Sequence, residues 1–358
     1  MVLFFSYLFY PITILYSIFI FCRNKLYDYE ILEAKKHKVI TVGVGNIKVG
    51  GTGKTPHVEL LINFLSEKYN VGVLSRGYGR KTKGFILLDE NDSAIKVGDE
   101  PLQMKKKFPN IPFAVCENRN KGIQKLENLY KGLDIVILDD VFQHRSLHLD
   151  FSILLTEFSN PFFKDKILPF GLLREHRKGY KRADYIIITK SPKVISIGDR
   201  TFFESRLKPK KYQKVFYSSI EYKNLYSLFE KQEIEDFSNK SVILLTSIAD
   251  NTPIVKYLES KTNIIEKLEF PDHYNFTEKD IENIIKTYNT KKQEGSIIIT
   301  TEKDSMRLIA FEKLRESNIP IFVLPISLDL DVSRSNSPSF KQIFIDDVRQ
   351  SKSYGSFH

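Results

Sequence analysis

The chain has 358 residues, of which 42% are hydrophobic and 27% charged; this composition excludes an intrinsically disordered chain and predicts two domains. Two cysteines, Cys22 and Cys116, are too few for a disulfide framework and indicate a reducing compartment. The formal net charge of +10 predicts an acidic partner. Basic residues after the N-terminal segment favour anionic lipid over nucleic acid, for which the sequence carries no binding signature.

Residues 1–38 are predicted to form a membrane-associated helix followed by a basic connector. Residues 2–22 contain no charge and, as a helix rising about 1.5 Å per residue, are just long enough to cross a bilayer. The segment lacks the basic start and the small-residue cleavage site of a signal peptide. Weakly polar residues at near-helical spacing also fit a helix lying in the membrane interface. We expect this helix to contact the membrane, either spanning it or lying at its surface. An ordinary buried helix is the alternative.

From residue 39 onward, short β-branched runs alternate with amphipathic helices, which predicts a mostly parallel sheet with helices on both faces. The strands predicted in this first domain, residues 39–207, are 39–44, 71–74, 113–116, 135–138, 152–155 and 185–189. A charged stretch at 208–214 indicates a domain boundary. A smaller α/β domain is predicted for 208–328, with strands at 215–219, 242–246, 296–300 and 321–324. A polar tail with a short amphipathic stretch is predicted for 329–358.

The strongest motif is VGNIKVGGTGKTP, residues 44–56, between a predicted strand and a predicted helix. A triphosphate needs backbone N–H groups wrapped closely around it, and only small residues permit that approach. The Lys54 ammonium can reach the β- and γ-phosphates, and the Thr55 hydroxyl can ligate Mg²⁺. The predicted ATP site consists of Val49, Gly50, Gly51, Thr52, Gly53, Lys54 and Thr55.

This loop departs from the strict P-loop pattern, which places glycine where the chain has Lys48. ATPases that partition cargo at membranes carry a signature lysine one residue later, where the chain has Val49. That relationship is therefore weakened but stays open as an alternative: a membrane-bound ATPase or GTPase that acts as a switch. The guanine-specific motif is broken, because Pro192 stands where its aspartate would be.

Two adjacent acids, Asp139 and Asp140, follow a predicted buried strand and so lie at the edge where open α/β sheets bind ligands. Neighbouring carboxylates repel each other unless a cation lies between them or they diverge. We therefore predict a Mg²⁺ site here, with a surface turn as the alternative. Gln143 and His144 of the motif DDVFQH lie within reach of the same edge.

Other candidate residues lie in loops. Asp99 of VGDEP precedes a predicted helix, where it is either an N-cap or a base that accepts the hydroxyl proton of an acceptor. His273 of FPDHYNF is a lone histidine, which more often has a structural role than a catalytic one. The arginines of several loops suit anionic groups but also suit solvated turns: Arg76, Arg80, Arg119, Arg174 and Arg177.

Together the motifs resemble one family, the tetraacyldisaccharide 4′-kinases of lipid A synthesis. VGNIKVGGTGKTP, LSRGYGR, VGDEP, DDVFQH, PFGLLRE, FPDHYNF and TTEKD occur in the family's order, up to about residue 324. The resemblance implies ATP- and Mg²⁺-dependent phosphorylation of the 4′-hydroxyl of a tetraacylated glucosamine disaccharide 1-phosphate. It places the protein at the cytoplasmic face of the inner membrane, with the N-terminal helix at the membrane surface. Val141, Phe142 and His176 depart from the residues that are usual in the family.

The resemblance also implies roles for particular residues. Asp99 would be the base and His273 its partner, brought across a cleft by domain closure, with Lys54 as the third catalytic residue. Thr55, Asp139 and Asp140 would arrange Mg²⁺, with Gln143 nearby. The candidates for substrate binding are Arg76, Tyr78, Arg80, Glu100, Arg119, His144 and Arg174.

Overall fold

A computed structural model of the chain describes residues 2–230, 232–330 and 338–355. Its larger sheet has eight strands, ordered β3-β4-β2-β5-β1-β6-β7-β8. The strands are β1 (Ile40–Gly45), β2 (Val71–Ser75), β3 (Ile86–Leu87), β4 (Phe113–Val115), β5 (Ile135–Asp139), β6 (Phe151–Glu157), β7 (Tyr185–Thr189) and β8 (Lys214–Tyr217). The helices of this part are α1 (Val2–Asp28), α2 (Lys54–Leu65), α3 (Ala94–Val97), α4 (Asp99–Lys107), α5 (Arg119–Leu129) and α6 (Ile197–Leu207), with 3₁₀ turns at Phe162–Lys164 and Arg177–Arg182.

Neighbouring strands of this sheet are parallel, except that β3 runs antiparallel to β4. Every residue of β2, β5 and β7 is buried, as expected for parallel strands covered by helices on both faces. The strand order turns at β1, because β2–β5 lie on one side of it and β6–β8 on the other. Val44 of β1 is in register with Asp139 of β5. The loops after these two strands therefore meet at the edge where such sheets bind ligands.

A second sheet has six strands in the order β11-β10-β15-β14-β12-β13. They are β10 (Leu225–Ser227), β11 (Glu233–Ile234), β12 (Ser241–Thr246), β13 (Asn263–Glu269), β14 (Ile297–Thr301) and β15 (Ile321–Leu324). Four helices accompany them: α7 (Thr252–Glu259), α8 (Glu278–Lys291), α9 (Glu302–Leu308) and α10 (Glu312–Glu316). The expected mixed α/β fold with a mostly parallel sheet is thus confirmed.

A two-stranded antiparallel ribbon, β9 (Ser219–Tyr222) with β16 (Ile326–Asp329), joins the two sheets. The strand predicted at 215–219 as the start of the second domain is instead largely β8, which pairs in parallel with β7 and forms the edge of the first sheet. The charged stretch at 208–214 is the connection from α6 into β8, beginning at Lys208 in the left-handed conformation. The charged residues here lie in a surface connection between α6 and β8. The first sheet therefore extends past residue 207.

The first and last helices both pack against the part of the chain that contains the first sheet. α1 is fixed to it through hydrogen bonds from Tyr16 to the Arg174 carbonyl and from Arg23 to the Gln143 carbonyl. Within the described ranges, no helix is both long and apolar enough to cross a membrane. The last helix, α11 (Phe340–Gly355), packs Phe340 and Phe344 against Phe64 of α2. The amphipathic stretch predicted near residues 340–348 is therefore part of the core, whereas residues 331–337 of the predicted tail lie outside the described residues.

Candidate active site

The phosphate loop connects β1 to α2 and lines a cleft of about 990 Å³ between the two sheets. Gly50 has φ 118° and Gly53 has φ 85°, conformations that side chains with a Cβ rarely adopt. The Asn46 amide donates a hydrogen bond of 2.8 Å to the Thr52 hydroxyl, and both side chains are buried. α2 begins at Lys54, so the unpaired N–H groups of its first turn and the Lys54 side chain both lie at the cleft. That arrangement suits a polyphosphate.

One histidine fixes the end of this loop. His57 is buried, and burial lowers its pKa to about 4, so that the ring is neutral. A carbonyl can only accept, so Nδ1 donates to the Gly53 carbonyl at 2.7 Å and Nε2 accepts from the Ser218 hydroxyl at 3.0 Å. Ser218 precedes the ribbon strand β9, and the phosphate loop is thereby tied to the ribbon that leads to the second sheet.

Lys48, the departure from the strict loop pattern, takes no part in the cleft. It is 4% exposed, and its ammonium lies 3.1 Å from Asp165 Oδ2 and donates to the Asn160 carbonyl at 3.3 Å. A buried lysine paired in this way is not available to a nucleotide. The structure therefore gives no support to a signature-lysine role for this residue.

The two acids after β5 diverge. Asp140, in the left-handed conformation, accepts from Arg174 Nη1 at 2.9 Å and lies 3.8 Å from Lys54 Nζ. Burial would raise the pKa of Asp140, but Lys54, Arg174 and Arg119 together hold it below its usual range. Asp139 is more deeply buried, and burial, with the charges of Glu100 and Asp140, raises its pKa to about 7 despite Lys54 and Arg119.

These acids fit a magnesium ion bound together with phosphate. Asp139 Oδ2 accepts from the Ser75 hydroxyl at 3.2 Å, whereas Oδ1 is buried with no hydrogen-bond partner among the described residues. No three His, Cys, Asp or Glu side chains in the described part of the chain form a metal-binding group. Mg²⁺ does not require such a cage, because one or two carboxylates with substrate phosphates and water are its usual ligands. Thr55 lines the cleft at the first turn of α2.

Gln143, also predicted at the metal, is engaged by protein groups. Its Nε2 donates to the Asn46 carbonyl at 2.7 Å and to Glu175 Oε1 at 3.0 Å. Its Oε1 accepts from Arg174 Nη1 at 3.3 Å. The Gln143 amide therefore braces Arg174 against the start of the phosphate loop, and both of its polar ends are occupied.

Asp99 and His273 meet across the cleft, as the family resemblance implied. Asp99 is the first residue of α4, and Gly98, not Asp99, is the N-cap. Its Oδ1 accepts from the Glu100 N–H, and its Oδ2 lies 3.2 Å from His273 Nδ1. Lys303 Nζ donates to His273 Nε2 at 2.9 Å, so the ring is the neutral tautomer that donates from Nδ1 to Asp99.

The charge around Asp99 keeps this carboxyl group ionised. Burial alone would raise its pKa, but the hydrogen bond from His273 and the positive charges of Lys303 and Arg307 lower it below its usual range. Lys303 and Arg307 lie one turn apart on α9. TTEKD was identified only as a family motif, and neither cation was predicted as a site residue. Two basic residues four apart in the first helix after a predicted strand were the available signal.

Most of the residues predicted to bind substrate line the cleft. Arg76 and Tyr78 are exposed in the cleft, and the Tyr78 ring contacts the His273 ring edge-on at 5.2 Å. Glu100, Arg119, His144 and Arg174 also line the cleft. Burial and nearby arginines lower the pKa of His144 to about 4, so it is neutral near pH 7.

Two of the predicted arginines are committed to the protein itself. The buried Arg119 donates from Nη1 to the Cys116 carbonyl at 2.7 Å and from Nη2 to the Asp139 carbonyl at 3.2 Å. Arg80 donates to the Gly84 carbonyl and pairs with Glu117. Arg119 thus braces two strand ends, and Arg80 holds its own loop.

A phosphate loop at the turning point of a parallel sheet, with an aspartate pair on the adjacent strand and an acid–histidine pair opposite, defines a P-loop phosphotransferase. The chain matches the family model described as Tetraacyldisaccharide-1-P 4′-kinase over residues 5–346, and it belongs to that family. The resemblance found in the ordered motifs is therefore confirmed.

Similar proteins cover nearly the whole chain. A Tetraacyldisaccharide 4′-kinase of Bacteroides thetaiotaomicron is 38% identical over 360 residues, covering 97% of this chain and 94% of its own length. One of Flavobacterium psychrophilum is 41% identical over 349 residues, covering 97% and 98%. A crystal structure of LpxK from Aquifex aeolicus in complex with ATP is 30% identical, with a TM-score of 0.72, and the match covers 95% of this chain and 98% of that one.

Proposed function

We propose that this chain transfers the γ-phosphate of ATP to the 4′-hydroxyl of a tetraacylated glucosamine disaccharide 1-phosphate, a late step of lipid A synthesis. One observation carries the proposal: His273, hydrogen-bonded to Asp99, lines the same cleft as the phosphate loop. Transfer to a hydroxyl needs a proton acceptor opposite the phosphates, whereas a nucleotide switch does not. Membership of the kinase family supports the same reaction.

The nucleotide would occupy the loop from Val49 to Thr55, with Lys54 against the β- and γ-phosphates. Thr55, Asp139 and Asp140 would hold Mg²⁺, which when bound would neutralise charge on the phosphates. Arg174, which contacts Gln143 and Asp140 at the cleft, would bind a phosphate group of either substrate.

The Asp99–His273 pair would accept the proton of the 4′-hydroxyl, with Asp99 as the base and His273 as its partner. The two groups are joined by the hydrogen bond between His273 Nδ1 and Asp99 Oδ2. His273 lines the cleft, and Asp99, which is 7% exposed, contacts the Nδ1 edge of its ring. In phosphoryl transfer such a base chiefly orients the attacking oxygen.

The second sheet, with its helices, would act as the smaller domain, predicted at 208–328, that closes over the core predicted at 39–207. Several ion pairs join the two parts, including Lys107–Glu302 at 3.3 Å and Lys303–Glu100 at 3.4 Å. Asp99 and His273 belong to different parts, so the pair forms only when the two are together. Closure would exclude water, which otherwise competes with the lipid hydroxyl for the phosphoryl group.

The glycolipid lies in a membrane, and α1 would hold the protein at the cytoplasmic face of the inner membrane. Leu15 and Phe19 are 68% and 65% exposed, whereas Ile20 of the same helix is buried. An apolar helix face with basic residues at its end suits an interface rich in anionic lipid.

The double substitution Leu15→Ser/Phe19→Ser is expected to weaken partitioning into vesicles containing phosphatidylglycerol about 100-fold. Removing two inserted side chains costs roughly 3 kcal/mol or more. Flotation of protein with vesicles measures the partition. The matched control is Val194→Ser/Ile197→Ser, which removes two residues that are 85% and 84% exposed outside α1. Equal partitioning of the two double variants would contradict the surface role of α1.

The proposed reaction is tested by incubating the protein with ATP labelled in the γ-phosphate and tetraacylated disaccharide 1-phosphate in detergent micelles, with Mg²⁺ or with EDTA. We expect labelled lipid only with Mg²⁺. Release of labelled phosphate to water without labelled lipid would instead indicate the membrane-bound ATPase. Binding of ATP with neither product would show that the acceptor is a different molecule.

A further inference from the structure

Helix α9 is anchored to the carboxyl end of β12 by a buried acid. Asp304 has no exposed surface, and its backbone N–H and carboxylate bond to the N-cap residue Thr301. Its Oδ2 also accepts from the Ser247 N–H at 3.0 Å, and its Oδ1 accepts from the Ser247 hydroxyl at 2.5 Å. Ser247 directly follows β12 and is itself fully buried. The first turn of α9 is therefore fixed relative to the second sheet.

Arg307, one turn further along α9, connects this anchor to Asp99. Its Nη2 donates to the Ser247 hydroxyl at 2.7 Å and to Asp304 Oδ1 at 2.5 Å. Its Nη1 donates to Asp99 Oδ2 at 2.6 Å. A guanidinium group is planar and rigid, so fixing one of its nitrogens aims the other. The Arg307 side chain is 8% exposed, and the contact is shielded from solvent.

Lys303 holds the other member of the pair from the same helix. Its ammonium donates to His273 Nε2 and lies 3.2 Å from Asp272 Oδ1. The two cations of α9 thus contact the two members of one proton-accepting pair. A bridge serving only to join the sheets would not need its arginine on the same carboxylate oxygen that accepts from His273 Nδ1.

We propose that Arg307 is a positioning residue for phosphoryl transfer: it fixes the Asp99 carboxylate against His273 and, through its charge, sets the pH below which the pair can no longer accept a proton. This inference rests on the proposed kinase function and assigns Arg307 no contact with substrate. The geometry gives the residue two separable effects. Its fork orients Asp99, and its positive charge opposes protonation of the pair.

The sign of the charge effect follows from the surroundings of Asp99. The positive or proton-donating groups that face Asp99 are His273, Lys303 and Arg307, and the acids beside these groups are Glu100, Asp272 and Asp304, with the Tyr78 ring against His273. Removing Arg307 removes a positive charge and leaves Asp304 unneutralised. Both changes raise the proton affinity of the pair. Activity should then be lost at a higher pH as the solution is acidified.

The experiment measures kcat, and KM for ATP, from acid to neutral pH in Arg307→Gln and Arg307→Lys. We expect Arg307→Gln to lower kcat about 100-fold and to change KM for ATP less than about threefold. In the plot of kcat against pH, the acid limb, where activity falls as the pH is lowered, should shift up by about one pH unit. Arg307→Lys keeps the charge and loses the fork, so its acid limb should stay in place while kcat falls. Arg315→Gln, the same substitution at an exposed arginine of α10, should match the unmodified protein.

An Arg307→Gln variant that loses activity equally at every pH, with its acid limb in place, would overturn the proposal. Ser247→Ala provides a second variant should Arg307→Gln not fold, because it removes one anchor and retains the charge. We expect Ser247→Ala to lower kcat roughly fivefold without moving the acid limb; an unchanged kcat would overturn the orienting role. Absence of lipid labelling by the unmodified protein would instead count against the kinase function itself.

Discussion

Lys54→Ala is expected to lower phosphoryl transfer on the order of 10³-fold, because the substitution removes a fixed positive charge beside the phosphates where negative charge develops. Lys54 starts α2, lines the cleft and lies 3.8 Å from Asp140 Oδ1. Its loss also leaves the Asp140 charge balanced by Arg174 and Arg119. Transfer of labelled γ-phosphate to lipid, measured at saturating ATP, gives kcat directly.

The control for this variant is Lys68→Ala, at an exposed lysine just after the same helix. It should retain normal activity, because it changes net charge equally and touches no cleft residue. Circular dichroism should show that both variants are folded. Normal turnover by folded Lys54→Ala would show that the loop at residues 49–55 does not bind the reacting phosphates.

The strands that could be predicted are those whose own sequence pattern determines their structure. The runs at 135–138, 185–189 and 321–324 were predicted because strands buried on both faces are uniformly apolar, and they correspond to β5, β7 and β15. β13, with sequence NIIEKLE, was missed, because its side chains are half-buried or exposed and include three charges. β8 was placed in the wrong sheet, since a strand's partner is decided by long-range pairing and not by its own pattern.

The same limit applies to the site. The phosphate loop and the acids after β5 lie at strand ends, so local patterns placed them at one edge of one sheet. The contact between Asp99 and His273 joins residues 174 positions apart. Spacing could not predict this contact, and the family resemblance could. Neither approach identified Arg307, because its contact with Asp99 forms only where the second sheet docks against the first part of the chain.

Asp99→Ala is expected to lower kcat about 10³-fold while changing KM for ATP less than about threefold. The substitution removes the acceptor of the hydroxyl proton, whereas the nucleotide is held by the loop after β1. It also leaves the positive charges of Arg307 and Lys303 without the carboxylate that they face. The measurement is lipid phosphorylation as a function of ATP concentration and pH. An unchanged kcat would reduce Asp99 to a residue that begins α4.

A double-mutant cycle with His273→Ala separates a functional pair from two independent contributions. If the hydrogen bond between Nδ1 and Oδ2 makes the groups act as one base, the Asp99→Ala/His273→Ala variant should be about as active as either single variant. Independent roles would instead multiply the two losses. Asp236→Asn, at an exposed acid before β12, is the control for removal of one negative charge and should retain normal activity. Multiplied losses would assign His273 a role of its own, apart from Asp99, and would also weaken the case that Arg307 acts on both through one carboxylate.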